Sequence, residues 1–314
     1  MHIPNCLHLI LSDIWTLSFL QHFLVEFLGT ALFLSASLSA VLLLPAAGKP
    51  GVDLLSAGEE LPVGNGNLSN LSAALDFDSP SSSRPLSNGQ LASHLSVLPP
   101  SPVLPPCPLH VALAFGLSVA MAALCMGGEV HLNPAVTVAM TLTLRLRPWR
   151  AALYVIGQLL GGVASAALLL GLTGDVTPAL NQLSSGVQPH QAVVVETLVT
   201  LQLVLVVLAT ARFPLPTVLA PLLVGLAVSL GHLVAMGWTG CGMNPARSFG
   251  PAVVTLSFHN HWVFWAGPVL GACLAALLND LLLRPRWGCL GDWWAELKQL
   301  YPKDRQQPTL PHTP

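Results

Sequence analysis

Six stretches of the chain are apolar for close to twenty residues or more: 22–45, 109–126, 150–172, 190–211, 215–236 and 261–283. A helix needs about 20 predominantly apolar residues to cross the hydrocarbon layer of a bilayer. Two further apolar pieces, 133–144 and 244–255, are too short to span. The pattern predicts six transmembrane helices and two re-entrant half-helices. Backbone that is not helical at membrane depth has to be buried in protein or line a water-filled cavity. The two short pieces therefore predict such a cavity.

The same pattern occurs twice. "EFLGTALFL" from Glu26 in the first span matches "ETLVTLQLV" from Glu196 in the fourth. "FGLSVA" from Phe115 matches "VGLAVS" from Val224, and "GQLLG" from Gly157 matches "GPVLG" from Gly267. Each half holds three spans, so the second copy enters the membrane upside down, and a functional site is expected near the midplane between the halves. Both short pieces open on Asn-Pro-Ala, at Asn133-Pro134-Ala135 and Asn244-Pro245-Ala246. Asn suits a helix cap, and Pro suits a first turn, where a missing N–H is harmless. The two half-helices are expected to meet N-terminus to N-terminus, bringing their positive dipole ends together at mid-membrane.

Composition agrees with a membrane protein: 53% of the 314 residues are hydrophobic and 8% are charged, against about 25% charged in a soluble domain. The formal net charge of −2 suggests no nucleic-acid partner. Cys6, Cys107, Cys125, Cys241, Cys273 and Cys289 are scattered, without CxxC or metal spacing. No nucleotide-binding glycine loop, metal cluster or paired catalytic acids stand out, so neither an enzyme nor a cofactor is expected.

Charge orients the chain. Arg145, Arg147, Arg150, Arg212, Arg284, Arg286, Lys298, Lys303 and Arg305 fall on one side of a six-span arrangement. Lys49 and Arg84 fall on the other. The positive-inside rule places both termini in the cytoplasm, with 1–21 an N-terminal arm and 285–314 a C-terminal tail. The tail's "DWWAELKQL" reads as a short amphipathic helix at the membrane surface. Residues 46–107, rich in Ser, Pro, Gly and Asn, read as a long, disordered extracellular loop. It carries two N-glycosylation sequons, at Asn67 and Asn70.

The paired Asn-Pro-Ala motifs, Glu26 and Glu196, "HLNPAVT" and "TGCGMNPARSFGPAV" resemble the aquaporin (major intrinsic protein) family over residues 22–284. The likeness is to its orthodox, water-selective branch. It implies an all-α hourglass, one pore per subunit, a homotetramer in a lipid bilayer and water as the permeant. It also implies a selectivity filter of Phe115, His232, Cys241 and Arg247, with Cys241 at the family's mercury-sensitive position. Ser248 follows Arg247 where the glycerol-conducting branch has Asp. Blander readings exist: His232 as a packed core histidine, Phe115 as ordinary core, Cys241 as a small loop residue. An Arg inside a membrane segment costs about 2.5–3.5 kcal/mol on insertion scales and is usually functional. Glu26 and Glu196 read as buried acceptors for loop N–H groups.

Two departures from the family stand out. "GGEVHLNPAV" places Glu129 and Val130 where small residues are typical, and its loop reads as about two residues short. Asn133 lies 17 residues beyond Gly116, whereas Asn244 lies 19 beyond Gly225. The long 46–107 segment is the other departure. The leading expectation is a passive water channel, with ring size arguing against glycerol and Arg247 against cations; the alternatives are a channel for hydrogen peroxide, small neutral solutes or anions, and a structural or adhesion protein with a closed pore.

Overall fold

The computed structural model describes residues 16–42, 108–128, 130–283 and 290–299. The 46–107 segment with Asn67 and Asn70, residues 1–15 of the N-terminal arm, Glu129, and the tail beyond 299 lie outside the described residues. Every element among those described is helical. In chain order they are α1 (Leu17–Leu42), α2 (Pro108–Cys125), α3 (Pro134–Leu142), α4 (Pro148–Thr173), α5 (Pro189–Thr210), α6 (Leu219–Thr239), α7 (Pro245–Thr255), α8 (Val263–Leu278) and α9 (Leu290–Gln299). A π-helical turn, Asn279–Leu283, extends α8, and one 3₁₀ turn, Thr177–Ala179, lies between α4 and α5.

Six helices are long and apolar enough to cross a membrane: α1, α2, α4, α5, α6, and α8 with its π turn. α3 and α7, with nine and eleven residues, are the two half-helices. Proline sets many of the boundaries, opening α2, α3, α4, α5 and α7. It also explains a difference from the sequence reading, which starts the fifth span at 215. Residues preceding a proline are pushed out of the helical region, and Pro214 and Pro216 delay α6 until Leu219. α1 instead begins at Leu17, ahead of the expected 22, because "LSFLQ" contains no helix breaker.

The inverted repeat is visible in the packing. α1 packs on α4 as α5 packs on α8, and α1 on α2 as α5 on α6. Each half-helix lies against the last span of the opposite half: α3 on α8, and α7 on α4. α2 and α6 cross at Gly116 and Gly225, where a Cβ on either would run into the other's carbonyl oxygen. The halves differ in how they approach their half-helices. α6 continues 14 residues past Gly225 to Thr239, whereas α2 continues only nine past Gly116 to Cys125. Gly127 and Gly128, both left-handed with φ of 89° and 83°, follow the early end of α2. The two-residue deficit before Asn133 is thus a shorter helix and not a shorter loop. The stretch from Cys125 to Asn133 is longer than that from Thr239 to Asn244, eight positions against five.

Glycine allows the equivalent pairs α1–α4 and α5–α8 to touch backbone to backbone. A Cβ on Gly161 would lie 2.5 Å from the Phe27 carbonyl oxygen, and one on Gly271 2.5 Å from that of Thr197. Main chain cannot swing aside as a side-chain tip can. Gly171, near the end of α4, has open space around its Cβ position. Gly271→Val and Gly161→Val are therefore expected to lower the melting temperature in detergent sharply or abolish folded yield. Gly171→Ala should leave it unchanged or raise it slightly, since Ala exceeds Gly in helix propensity by about 1 kcal/mol.

Candidate functional site

The two Asn-Pro-Ala segments meet inside the protein. Asn133 caps α3, its Oδ1 accepting from the Ala135 N–H at 2.8 Å. Asn244 caps α7, accepting from Ala246 N–H at 2.9 Å and Arg247 N–H at 3.4 Å. Pro134 and Pro245 occupy the first turns, and Ala135 and Ala246 are fully buried behind them. The side-chain amides reach across the repeat. Asn133 Nδ2 donates to the Met243 carbonyl at 3.0 Å, and Asn244 Nδ2 to the Leu132 carbonyl at 2.8 Å. Each amide has two N–H groups, so one is used to join the loops and the second is left for the cavity both side chains line.

The residues just ahead of each Asn are backbone-strained. Leu132, Cys241 and Met243 have φ of 55°, 55° and 54°, a conformation that costs a non-glycine residue roughly 1–2 kcal/mol. Two buried acids hold Leu132 and Met243 there, and Thr239 Oγ1 accepts from the Cys241 N–H at 3.2 Å. Glu26, on α1, accepts from the His131 and Leu132 N–H groups at 2.7 and 2.8 Å, and from Gln158 Nε2 at 2.8 Å. Glu196, on α5, accepts from the Gly242 and Met243 N–H groups at 2.8 and 2.7 Å, and from Thr239 Oγ1 at 2.6 Å. The third donors differ because the repeat is imperfect: Gln158 follows Gly157, but Pro268 follows the equivalent Gly267.

A cavity of about 510 Å³ extends past both Asn side chains. At one end it is lined by Gly128, Val130, Arg145, Ala211 and Pro221, at the other by Phe115, His232 and Arg247, with His131, Asn133 and Asn244 also on its wall. Arg145 donates from Nη1 to the Ala211 carbonyl at 3.2 Å, at the C-terminus of α5, where a cation suits the helix dipole.

At the opposite end the Phe115 and His232 rings stack with centroids 4.0 Å apart. The Arg247 guanidinium lies 5.2 Å from the Phe115 centroid, and Arg247 Nη1 donates to the Ala179 carbonyl at 2.6 Å. His232 Nδ1 lies 2.9 Å from the Val228 carbonyl. A carbonyl only accepts, so Nδ1 carries the proton, and in the neutral ring Nε2 is an acceptor. His232 Nε2 and Arg247 Nε are both buried without a protein partner. This end of the cavity therefore sets the His232 acceptor beside the N–H donors of the Arg247 guanidinium. Cys241, three residues before Asn244, is fully buried and packs in the core cluster that also holds Phe115 and Met243.

Several contributors were not singled out from the sequence. Gln158 is detectable as a lone amide in the apolar run "GQLLG". Ala179 closes the 3₁₀ turn and Asn181 lies two residues beyond it, in an aperiodic segment where no pattern marks either.

A profile of the Major intrinsic protein family matches residues 13–279. Aquaporin-1 of Homo sapiens is 47% identical over 192 residues, covering 59% of this chain and 71% of that protein. Aquaporin FA-CHIP of Pelophylax lessonae is 47% identical over 191 residues, covering 59% and 70%. The solved aquaglyceroporin from Plasmodium falciparum superposes with a TM-score of 0.61 over 85% of this chain and 98% of its own; at 17% identity it speaks to the fold alone. The chain belongs to the major intrinsic protein family. It is a membrane channel protein and not an enzyme.

Removing an acid orphans the N–H groups it holds. Glu26→Leu and Glu196→Leu each leave two strained loop N–H groups and a third donor unpaired, at about 1–3 kcal/mol per group. Glu→Gln at either position keeps one acceptor oxygen and is expected to fall between. Melting temperatures of purified protein should rank Glu above Gln above Leu at both positions.

Proposed function

We propose that this protein is a passive water channel. The observation that carries the reading is the cavity's polar inventory. In a mainly apolar wall, the free Asn133 and Asn244 amide hydrogens come first, and the unpartnered His232 Nε2 and Arg247 Nε follow at the narrow end. Water, which both donates and accepts, satisfies an acceptor set beside a donor. Asn133, Pro134, Ala135, Asn244, Pro245 and Ala246 form the midpoint of the path, and Phe115, His232 and Arg247 its filter. Facing half-helix N-termini and the Arg247 cation oppose the entry of protons and other cations. A cavity whose lining reaches from Arg145 to Arg247 past both Asn residues supports conduction over a closed structural role.

The further assignments rest on sequence and family resemblance. The permeant path is one per subunit in a homotetramer. The Lys and Arg distribution puts both termini in the cytoplasm of a plasma-membrane protein, with the 46–107 segment outside and Asn67 or Asn70 its glycosylation site.

Osmotic shrinkage of vesicles containing the purified protein, followed by stopped flow, tests the function. The parent should shrink them at least about tenfold faster than empty vesicles, since channels lower a barrier by kilocalories and each 1.4 kcal/mol is tenfold. His232→Gly should retain water flow and add measurable glycerol uptake, because it removes a ring wall from the filter. Folded, inserted parent with no rate above empty vesicles would move anion passage, and then a closed structural role, to the front.

A further inference from the structure

The segment between α4 and α5 grips the filter from outside it. Asn181 is buried there, 7% exposed. Its Oδ1 accepts from Ser248 Oγ at 2.8 Å, and its Nδ2 donates to the Thr239 carbonyl at 3.3 Å. Ser248 is the residue after Arg247 in the first turn of α7, and Thr239 is the last residue of α6, two before Cys241. Two residues ahead of Asn181, the Ala179 carbonyl takes the Arg247 guanidinium. Gly240 also closes on Asn181, so that a Cβ there would lie 3.3 Å from Nδ2. One side chain thus ties together the segment that holds the Arg247 tip, the half-helix that holds its backbone, and the end of α6.

Arg247 has little else to fix its position. Its Nε has no protein partner, and the Phe115 face holds it without direction. The height of the guanidinium in the cavity is then set by the distance between Ala179 and the first turn of α7. Asn181 spans that distance. The geometry assigns Asn181 as a positioning residue for the filter, one that sets the clearance beside Arg247 and hence which neutral solutes are refused. This inference rests on the water-channel reading. The chemistry is specific to an amide: Asp accepts from Ser248 but cannot donate to the Thr239 carbonyl, and Leu, of similar size, does neither.

The test compares Asn181→Leu and Ser248→Ala with the parent, using protein of equal folded yield in vesicles and the ratio of urea to water permeability by stopped flow. The ratio is expected to rise about fivefold in Asn181→Leu, the factor worth one buried hydrogen bond, and by less in Ser248→Ala, which keeps the Thr239 contact. A role in folding alone lowers both fluxes together and leaves the ratio unchanged, and that result overturns the assignment. A second readout does not need conduction: the alkylation rate of Cys241, followed by mass spectrometry of its peptide. The thiol is fully buried and follows directly on the braced Thr239–Gly240, so Asn181→Leu should raise its rate. A parent that passes no water would sink the water-channel reading alone, and unchanged Cys241 alkylation would then overturn this one. If Asn181→Leu fails to fold, Ser248→Ala decides by the same two measurements.

Discussion

Two buried carboxylates carry the architecture. Glu26 and Glu196 each hold the N–H groups of a re-entrant loop at mid-membrane, where the hydrocarbon offers nothing to take them. Without those acceptors the left-handed Leu132 and Met243 would relax, and the half-helices would lose their starting points. The desolvation cost of placing an acid there is offset by three hydrogen bonds to each, supplied by loop backbone and one side chain. The cross-loop bonds from Asn133 and Asn244 then lock one held loop against the other. Geometry at the centre of the cavity is inherited from two residues that do not line it.

The inverted repeat gives the cavity its electrostatic form and the departures from symmetry give it direction. Facing half-helices place two positive dipole ends at the middle. The two ends of the cavity differ: Arg145 is tethered to the α5 terminus at one, while Arg247 stands beside stacked Phe115 and His232 at the other. The Arg247 end draws its support from a segment, 177–181, that joins the two halves. In the proposed channel, selectivity rests on asymmetric parts grafted onto a symmetric frame.

Much of this frame is legible in the chain because it follows from length and period. A run of twenty apolar residues has few destinations, and an apolar run half that long beginning Asn-Pro has fewer still. Matching acids at Glu26 and Glu196 stand out because a membrane interior tolerates few charges. Helix ends are harder to read. The delay of α6 to Leu219 depends on Pro214 and Pro216, and the early end of α2 on Gly127 and Gly128, choices that apolar counting ignores. Backbone conformation is harder again: no local pattern marks the left-handed Leu132, Cys241 and Met243 ahead of the two Asn residues. Asn181 was invisible, since its partners lie 58 and 67 residues away and no local pattern marks them.

In the proposed channel a file of water passes between the two held loops. An experimental density map of the protein in a lipid disc, sharp enough to show ordered water, is the measurement to make. It should show a continuous row of waters from the Arg145 end to the Arg247 end, with one hydrogen-bonded to both Asn133 and Asn244 amides and another beside His232 and the Arg247 guanidinium. A cavity interrupted at Val130, or one whose Asn amides face only protein, would contradict it.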